Sequence, residues 1–255
     1  MKQAEVITVV NQKGGIGKTT TAQNIASGLS LLKGYNVLMI DLDAQCNLTI
    51  ATGAKRGVKS SYNVLCGDAI EETIQPIKEN LHIIPASQHL SRSDLEISET
   101  GKEYKLKEAL TPVMNKYDYI VIDCPPALGV LTINALTVAN RVVIPAQADL
   151  FSLEAIKQLS GTIEVVKKYT NPQLEVAGIV LTRHNPRNIL TKELTELISE
   201  TAKSLNTKVF AKPIREAIAI KEATASRTDI FTYSNNSKVA GDYKALVEEL
   251  LANGK

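Results

Sequence analysis

The chain has 255 residues, 44% apolar and 22% charged, and its 29 Lys and Arg nearly balance its 27 Asp and Glu for a formal charge of +2. That length buries an ample core, and the composition excludes a disordered chain. No apolar run approaches the roughly 18 residues of a membrane span, the opening MKQAEVITVVNQ lacks a signal-peptide pattern, and the scattered Cys46, Cys66 and Cys124 supply neither a disulfide framework nor a zinc spacing. The expectation is a cytoplasmic protein without a dedicated metal cluster, since His82, His89 and His184 are also far apart.

Val6–Val10 is a β-branched run ending in Asn11-Gln12-Lys13-Gly14-Gly15. A helical pattern follows from Thr19 to about Leu32, with Ala22, Ile25, Ala26, Leu29 and Leu32 on one face, and Gly34 ends it. Val37–Asp41, Leu81–Pro85, Tyr119–Asp123, Val142–Pro145 and Val176–Leu181 read as further strands. Helices are expected at about 103–115, 130–138, 152–168, 190–204 and 238–252, and only short ones within 44–75. Continuous apolar strands alternating with amphipathic helices predict an α/β fold. One domain over 1–255 is expected, a mostly parallel central sheet with helices on both faces, and the glycine-rich Lys13-Gly14-Gly15-Ile16-Gly17-Lys18-Thr19-Thr20 between the first strand and the first helix makes a P-loop NTPase the expected type.

The segment Lys13-Gly14-Gly15-Ile16-Gly17-Lys18-Thr19-Thr20 follows a strand and opens a helix, the context of a phosphate loop. Glycines let backbone N–H groups converge on phosphate oxygens at the positive end of the helix dipole. Lys18 is placed for the β- and γ-phosphates, Thr19 for the Mg²⁺ shell and Thr20 for the α-phosphate. Asp41 and Asp43 end the second strand one pleat apart, and Asp123 ends another apolar strand. Ligands of open α/β sheets bind beyond the carboxyl ends of the strands, so these acids should face the nucleotide. Pro125-Pro126 begins a stiff loop suited to reporting the γ-phosphate.

A second lysine, Lys13, opens the phosphate loop. On Asn11 to Thr21, Asp41-Leu42-Asp43-Ala44-Gln45-Cys46-Asn47 and Tyr117 to Pro126 the chain resembles the deviant Walker A ATPases, in particular the ParA/Soj group of DNA-partition proteins. Weaker similarity runs through Phe151-Ser152-Leu153-Glu154 to Glu222-Ala223. The resemblance implies ATP and Mg²⁺ as ligands and an ATP-sandwich homodimer in which Lys13 contacts the partner's phosphates. It gives Asp43 the orientation of the hydrolytic water, Asp41 a place beside that water and the Mg²⁺ shell, and Asp123 the Walker B role. It puts adenine contacts after Val180, where Arg183, Ile214 and Arg215 follow strand ends. It also implies non-specific double-stranded DNA, a ParB-like centromere-binding partner that stimulates a slow hydrolysis, and a nucleoid-associated location.

Two departures matter. An arginine common in the family falls on Ala219, so the DNA surface is either rebuilt from Arg187, Lys212, Lys221, Arg227 and Lys238 or weaker than usual. With the phosphate loop at residue 13, no N-terminal helix-turn-helix domain is expected, and with it no operator binding. Residues 183–221 hold eight Lys and Arg against four Glu, a mild local excess. The last helix, carrying Asp242, Glu248 and Glu249, lacks the basic face of a membrane anchor. Stable membrane association is therefore not expected. The alternatives are a MinD-like positioning ATPase and a metabolic relative such as an ATP-dependent ligase.

Overall fold

A computed structural model describes residues 2–185 and 189–252. The strands are β1 (Glu5–Val9), β2 (Val37–Asp41), β3 (Gln75–Lys78), β4 (Leu81–Ile84), β5 (Tyr119–Asp123), β6 (Arg141–Ala146) and β7 (Glu175–Leu181). They form one sheet in the order β3-β4-β2-β5-β1-β6-β7, parallel throughout except for the antiparallel edge strand β3. That edge strand was not anticipated: it is four residues long and contains Pro76, which only an edge tolerates.

Among the helices, α1 (Lys18–Lys33), α2 (Asn47–Ala51), α3 (Ser61–Leu65) and α4 (Ser93–Glu96) precede α5 (Lys105–Leu110). Then come α6 (Val130–Val138), α7 (Leu150–Tyr169), α8 (Ile189–Ser204), α9 (Ile218–Ala225), α10 (Ile230–Ser234) and α11 (Lys238–Ala252). The helix expected over 103–115 is only α5, flanked by 3₁₀ turns, because Pro112 cannot continue an α-helical ladder. The sequence pattern did not reveal α9 and α10, which are too short for a clear period.

Alternation along the strands divides the core in two. Val6, Leu38, Ile40, Ile120, Ile122 and Ile144 pack against α5, α6, α7 and α8 on one face. Ile7, Val9, Met39, Val121 and Val143 pack against α1, α10 and α11 on the other. The apolar side of α11, with Val239, Tyr243, Leu246, Val247 and Leu250, is buried there, as the sequence predicted for a docked helix. A β-carbon at Gly28 of α1 would stand 2.8 Å from Val247 Cγ2, so the absence of a side chain lets the two helices approach.

From β1 the chain steps to one side of the sheet at β2, and after β5 it crosses to the other at β6. At that switch the loops after β1, β2 and β5 open a crevice beyond the strand ends. No helix among the described residues is long and apolar enough to cross a membrane.

Candidate nucleotide site

The loop after β1 is held from both sides. The buried Asn11 amide donates to Pro145 O at 2.7 Å while its Oδ1 accepts from Lys13 N at 3.1 Å, tying the loop to β6. Thr182, at the end of β7, donates its hydroxyl to Ile16 O at 2.7 Å. Gly17 takes φ 89° as the N-cap of α1, a left-handed conformation that a side chain would strain. The first turn of α1 therefore begins at the crevice with no side-chain cap from its N-cap residue, Gly17. A cavity of about 420 Å³ lies there, lined by Gly14, Gly15, Gly17, Lys18, Thr19 and Thr20 on one side. Gln23, Asp43, Gln45, Asn47, Ile50, Ala51, Pro126, Arg183 and Thr224 complete it.

Lys18 is buried and donates to Lys13 O at 3.0 Å. Burial lowers its pKa, and the nearby Asp123 and Asp43 carboxylates offset part of that shift. Asp41 and Asp123 are direct partners in the β2–β5 register, so two carboxylates end adjacent strands side by side. Their surroundings differ. Asp41 accepts from Thr49 N at 2.8 Å, Thr49 Oγ1 at 2.7 Å and Asp43 N at 3.1 Å. Burial nevertheless pushes its pKa up to about 6. Asp123 is fully buried and neither carboxylate oxygen has a hydrogen-bond partner among the described residues. Its pKa is driven well up, first by burial and then by Asp41, with the Thr19 hydroxyl and the Lys18 ammonium opposing.

An unpartnered buried carboxylate beside a lysine and a threonine hydroxyl is costly unless something cationic completes it. A hard divalent cation with oxygen ligands fits this donor set, held by Thr19 and Asp123. Asp41, by contrast, has both oxygens engaged by Thr49 and the Asp43 amide, bonds that fasten α2 to the end of β2. Asp43 lines the cavity and accepts from Gln45 N at 2.9 Å through one oxygen.

The remaining sequence-predicted residues separate. Arg183 lines the cavity with a left-handed backbone, φ 47°, a strained conformation for a side chain of this size. Ile214 is buried in the core and does not line it; its amide donates to Leu181 O at 2.7 Å. Arg215 also lies outside the lining, because Asp242 of α11 holds its guanidinium through bonds of 2.6 and 2.8 Å. Lys212 sits 3.8 Å from the same carboxylate. Lys221, Arg227 and Lys238 are exposed and make no ion pair among the described residues, and Arg187 falls outside the described residues.

Lys13 leaves its own phosphate cradle. Its ammonium meets Asp149 Oδ2 at 2.5 Å, Ser152 Oγ at 3.4 Å and Gln147 Oε1 at 3.5 Å, and stands 6.0 Å from the centre of the exposed Phe151 ring. Asp149 at the same time caps α7 by accepting from Ser152 N at 2.8 Å. Although burial pushes the Asp149 pKa up, Lys13 and the Ser152 amide hold it below the ordinary aspartate range. Sequence reading missed Asp149, Thr182, Thr49 and Thr224. Only Asp149 carried a local signal, an N-cap residue before the helix at 152–168.

The AAA domain family model matches residues 4–176. The sporulation initiation inhibitor protein Soj of Bacillus subtilis is 38% identical over 98% of this chain and 99% of its own length. The chromosome-partitioning ATPase Soj of Treponema pallidum is 36% identical over 97% of each. This chain belongs to the Soj/ParA family of partitioning ATPases. Among solved structures it is similar to cobyrinic acid a,c-diamide synthase from Mycobacterium smegmatis with bound ATP analog and magnesium, with a TM-score of 0.84 and 31% identity. That match covers 98% of this chain and 95% of the other. A plasmid partition protein from Borrelia burgdorferi bound to AMPPNP gives a TM-score of 0.83 at 28% identity, over 98% of this chain and 100% of its own. The family bears out the α/β P-loop fold expected from the sequence.

Proposed function

We propose that this Soj/ParA-family chain is a DNA-partition ATPase in which ATP acts as a timer for dimerisation and DNA binding. The carrying observation is Lys13: a lysine in the phosphate loop that does not line its own nucleotide cavity and is instead held at its edge by Asp149. A cation surplus to one site is what a partner's site can use, in the manner of an arginine finger.

In this reading ATP enters the crevice with its phosphates on the amides of Gly14 to Thr20. Mg²⁺ supplies a compact positive charge that neutralises the phosphates as they transfer. Lys18 exchanges the Lys13 carbonyl for phosphate oxygen, and Thr19 and Asp123 hold the cation. Asp43, anchored by Gln45 through one oxygen, uses the other to orient a water. Pro126 borders the same cavity, and the loop it belongs to ends where Asp94 of α4 accepts from Val130 N at 2.7 Å. A change at the γ-phosphate is thus passed to the start of α6. Arg183 borders the nucleoside.

The ATP-joined dimer then binds double-stranded DNA without sequence preference, and a ParB-like centromere-binding partner speeds hydrolysis and releases it. A cytoplasmic, nucleoid-associated location follows. Burial of α11's apolar face against α1 and the sheet speaks against a membrane anchor of the MinD-like kind.

The test is binding to random-sequence duplex DNA with ATP, with ADP and without nucleotide, across a salt series, using the wild type and Asp43→Ala. Binding that needs ATP, persists in Asp43→Ala and falls steeply with salt is the expected outcome. Absence of binding in every nucleotide state overturns the reading.

A further inference from the structure

Three cations from two distant parts of the chain lie three to five residues beyond Ala51 and Thr224, which line the nucleotide cavity. Lys55 and Arg56 follow α2, and Arg227 follows α9. Arg227 takes a left-handed backbone, φ 54°. Its stem lies over Gly53, whose β-carbon position would be 3.5 Å from Arg227 Cβ and 3.8 Å from its Cδ. Gly53 itself has φ 73°, so both sides of this contact rest on unusual backbone. Gln75 of β3 fixes the Lys55 backbone from below, donating to Lys55 O at 3.1 Å and accepting from Lys55 N at 2.8 Å. Arg56 stands close enough to Cys46, the N-cap of α2, for its charge to act on the thiol.

All three side chains are exposed, and none makes an ion pair among the described residues. Neighbouring lysines are matched: Lys59 with Asp68 and Glu72, and Lys78 with Asp229. The patch is therefore cationic without compensation among the described residues. It is also attached to the site from both sides. Ala54 N donates to Thr49 O at 3.1 Å, and Thr49 is the residue that Asp41 holds. Arg227 N donates to Thr224 O at 3.0 Å, and Thr224 lines the cavity.

We propose that Lys55, Arg56 and Arg227 form a phosphate-contacting surface for duplex DNA whose alignment depends on the occupied nucleotide site. This rests on the partition reading above and adds to it the α2–α3 loop, which neither charge density nor family resemblance brought forward. Two of the three cations are guanidinium groups, whose planar donor forks suit phosphate oxygens. The glycine contact brings segments some 170 residues apart into one patch, a placement that a merely solvated charge does not need.

The experiment compares the full-length wild type with Lys55→Gln/Arg56→Gln/Arg227→Gln, the Arg56→Gln and Arg227→Gln single variants, and Lys59→Gln. Each is titrated with random-sequence duplex DNA in ATP over a salt series. Glutamine keeps the Arg227 stem on Gly53 while removing charge. Each lost phosphate contact lowers the slope of log K against log salt by about 0.9, so the triple variant in a dimer loses up to about 5 and each single variant about 2. At fixed physiological salt the triple variant binds at least about tenfold more weakly. Lys59→Gln leaves the slope unchanged, and all variants keep ATP binding and melting temperature.

A triple variant with the wild-type slope and affinity overturns the surface while leaving the partition reading intact. Wild-type protein that binds DNA in no nucleotide state overturns both. Binding of the wild type to vesicles of anionic phospholipid but not to DNA, lost in the triple variant, assigns the patch to a membrane and also overturns the proposal.

Discussion

In the proposed dimer Lys13 leaves Asp149 to reach the partner's phosphates, so Asp149→Asn should favour the dimer. The contact joins side chains that are 24% and 32% exposed, between a surface pair and a buried one. Exposed ion pairs contribute about 0.2–1 kcal/mol, and charge-assisted hydrogen bonds about 1.5–3, so about 1 kcal/mol per subunit is a reasonable figure here. Two subunits release two such contacts on joining, about 2 kcal/mol in all, which converts to roughly 30-fold in the dimer dissociation constant. Asparagine is as good an N-cap as aspartate, so the bond from Ser152 N and the start of α7 are retained. Sedimentation equilibrium in ATP, in an Asp43→Ala background to suppress hydrolysis, measures the constant directly. A dimer of Asp149→Asn no tighter than the parent's refutes the latch. Full ATP-dependent dimerisation of Lys13→Ala refutes the trans role of the lysine altogether.

Asp123→Asn should raise the melting point of the nucleotide-free protein, since it removes an unpartnered buried carboxylate worth about 1–3 kcal/mol, yet abolish Mg²⁺-dependent ATP binding. The pH dependence has a defined sign. A carboxyl whose folded pKa is raised stabilises the fold fully below its unfolded value near 4, and that stability is lost as pH rises through the folded value. The wild type should therefore lose stability relative to Asp123→Asn as pH is raised from about 4 in denaturant titrations. Thr182→Val deprives the Ile16 carbonyl of its donor and should weaken ATP binding several-fold at a stability cost of about 1 kcal/mol, read by calorimetry. Gly28→Leu drives a side chain into Val247 and should destabilise the protein by about 1–3 kcal/mol with α11 the first element to lose hydrogen-exchange protection. Chelation of Mg²⁺ should weaken ATP binding in the wild type while leaving the nucleotide-free melting point unchanged.

The fold and the phosphate loop were legible in the sequence because both are local. The strands from Val37 and Tyr119 are apolar along their length since both faces are covered, and the glycine-lysine-threonine ending of the loop needs only its own backbone to make an amide cradle. Asp41, Asp43 and Asp123 were placed at the site because alternation and strand ends fix where a residue emerges. The division of labour among them was not legible. Asp41 is satisfied by Thr49, eight residues on in a short helix with no periodic signal, while Asp123 is left bare. Likewise Arg215 carries a full charge in a plausible position, and only the arrival of Asp242 from α11 removes it from the nucleotide. Lys13 announced a second phosphate-loop cation, but its partner Asp149 is 136 residues away in sequence, on the loop after the neighbouring strand β6. Charge pairing and close approach are properties of neighbours in space, and a helix or loop brought in from another part of the chain leaves no trace in the local pattern. What residues 1–255 determined by themselves was the P-loop architecture and the chemistry of its motif; which cations and carboxylates remain free to act was decided by tertiary packing.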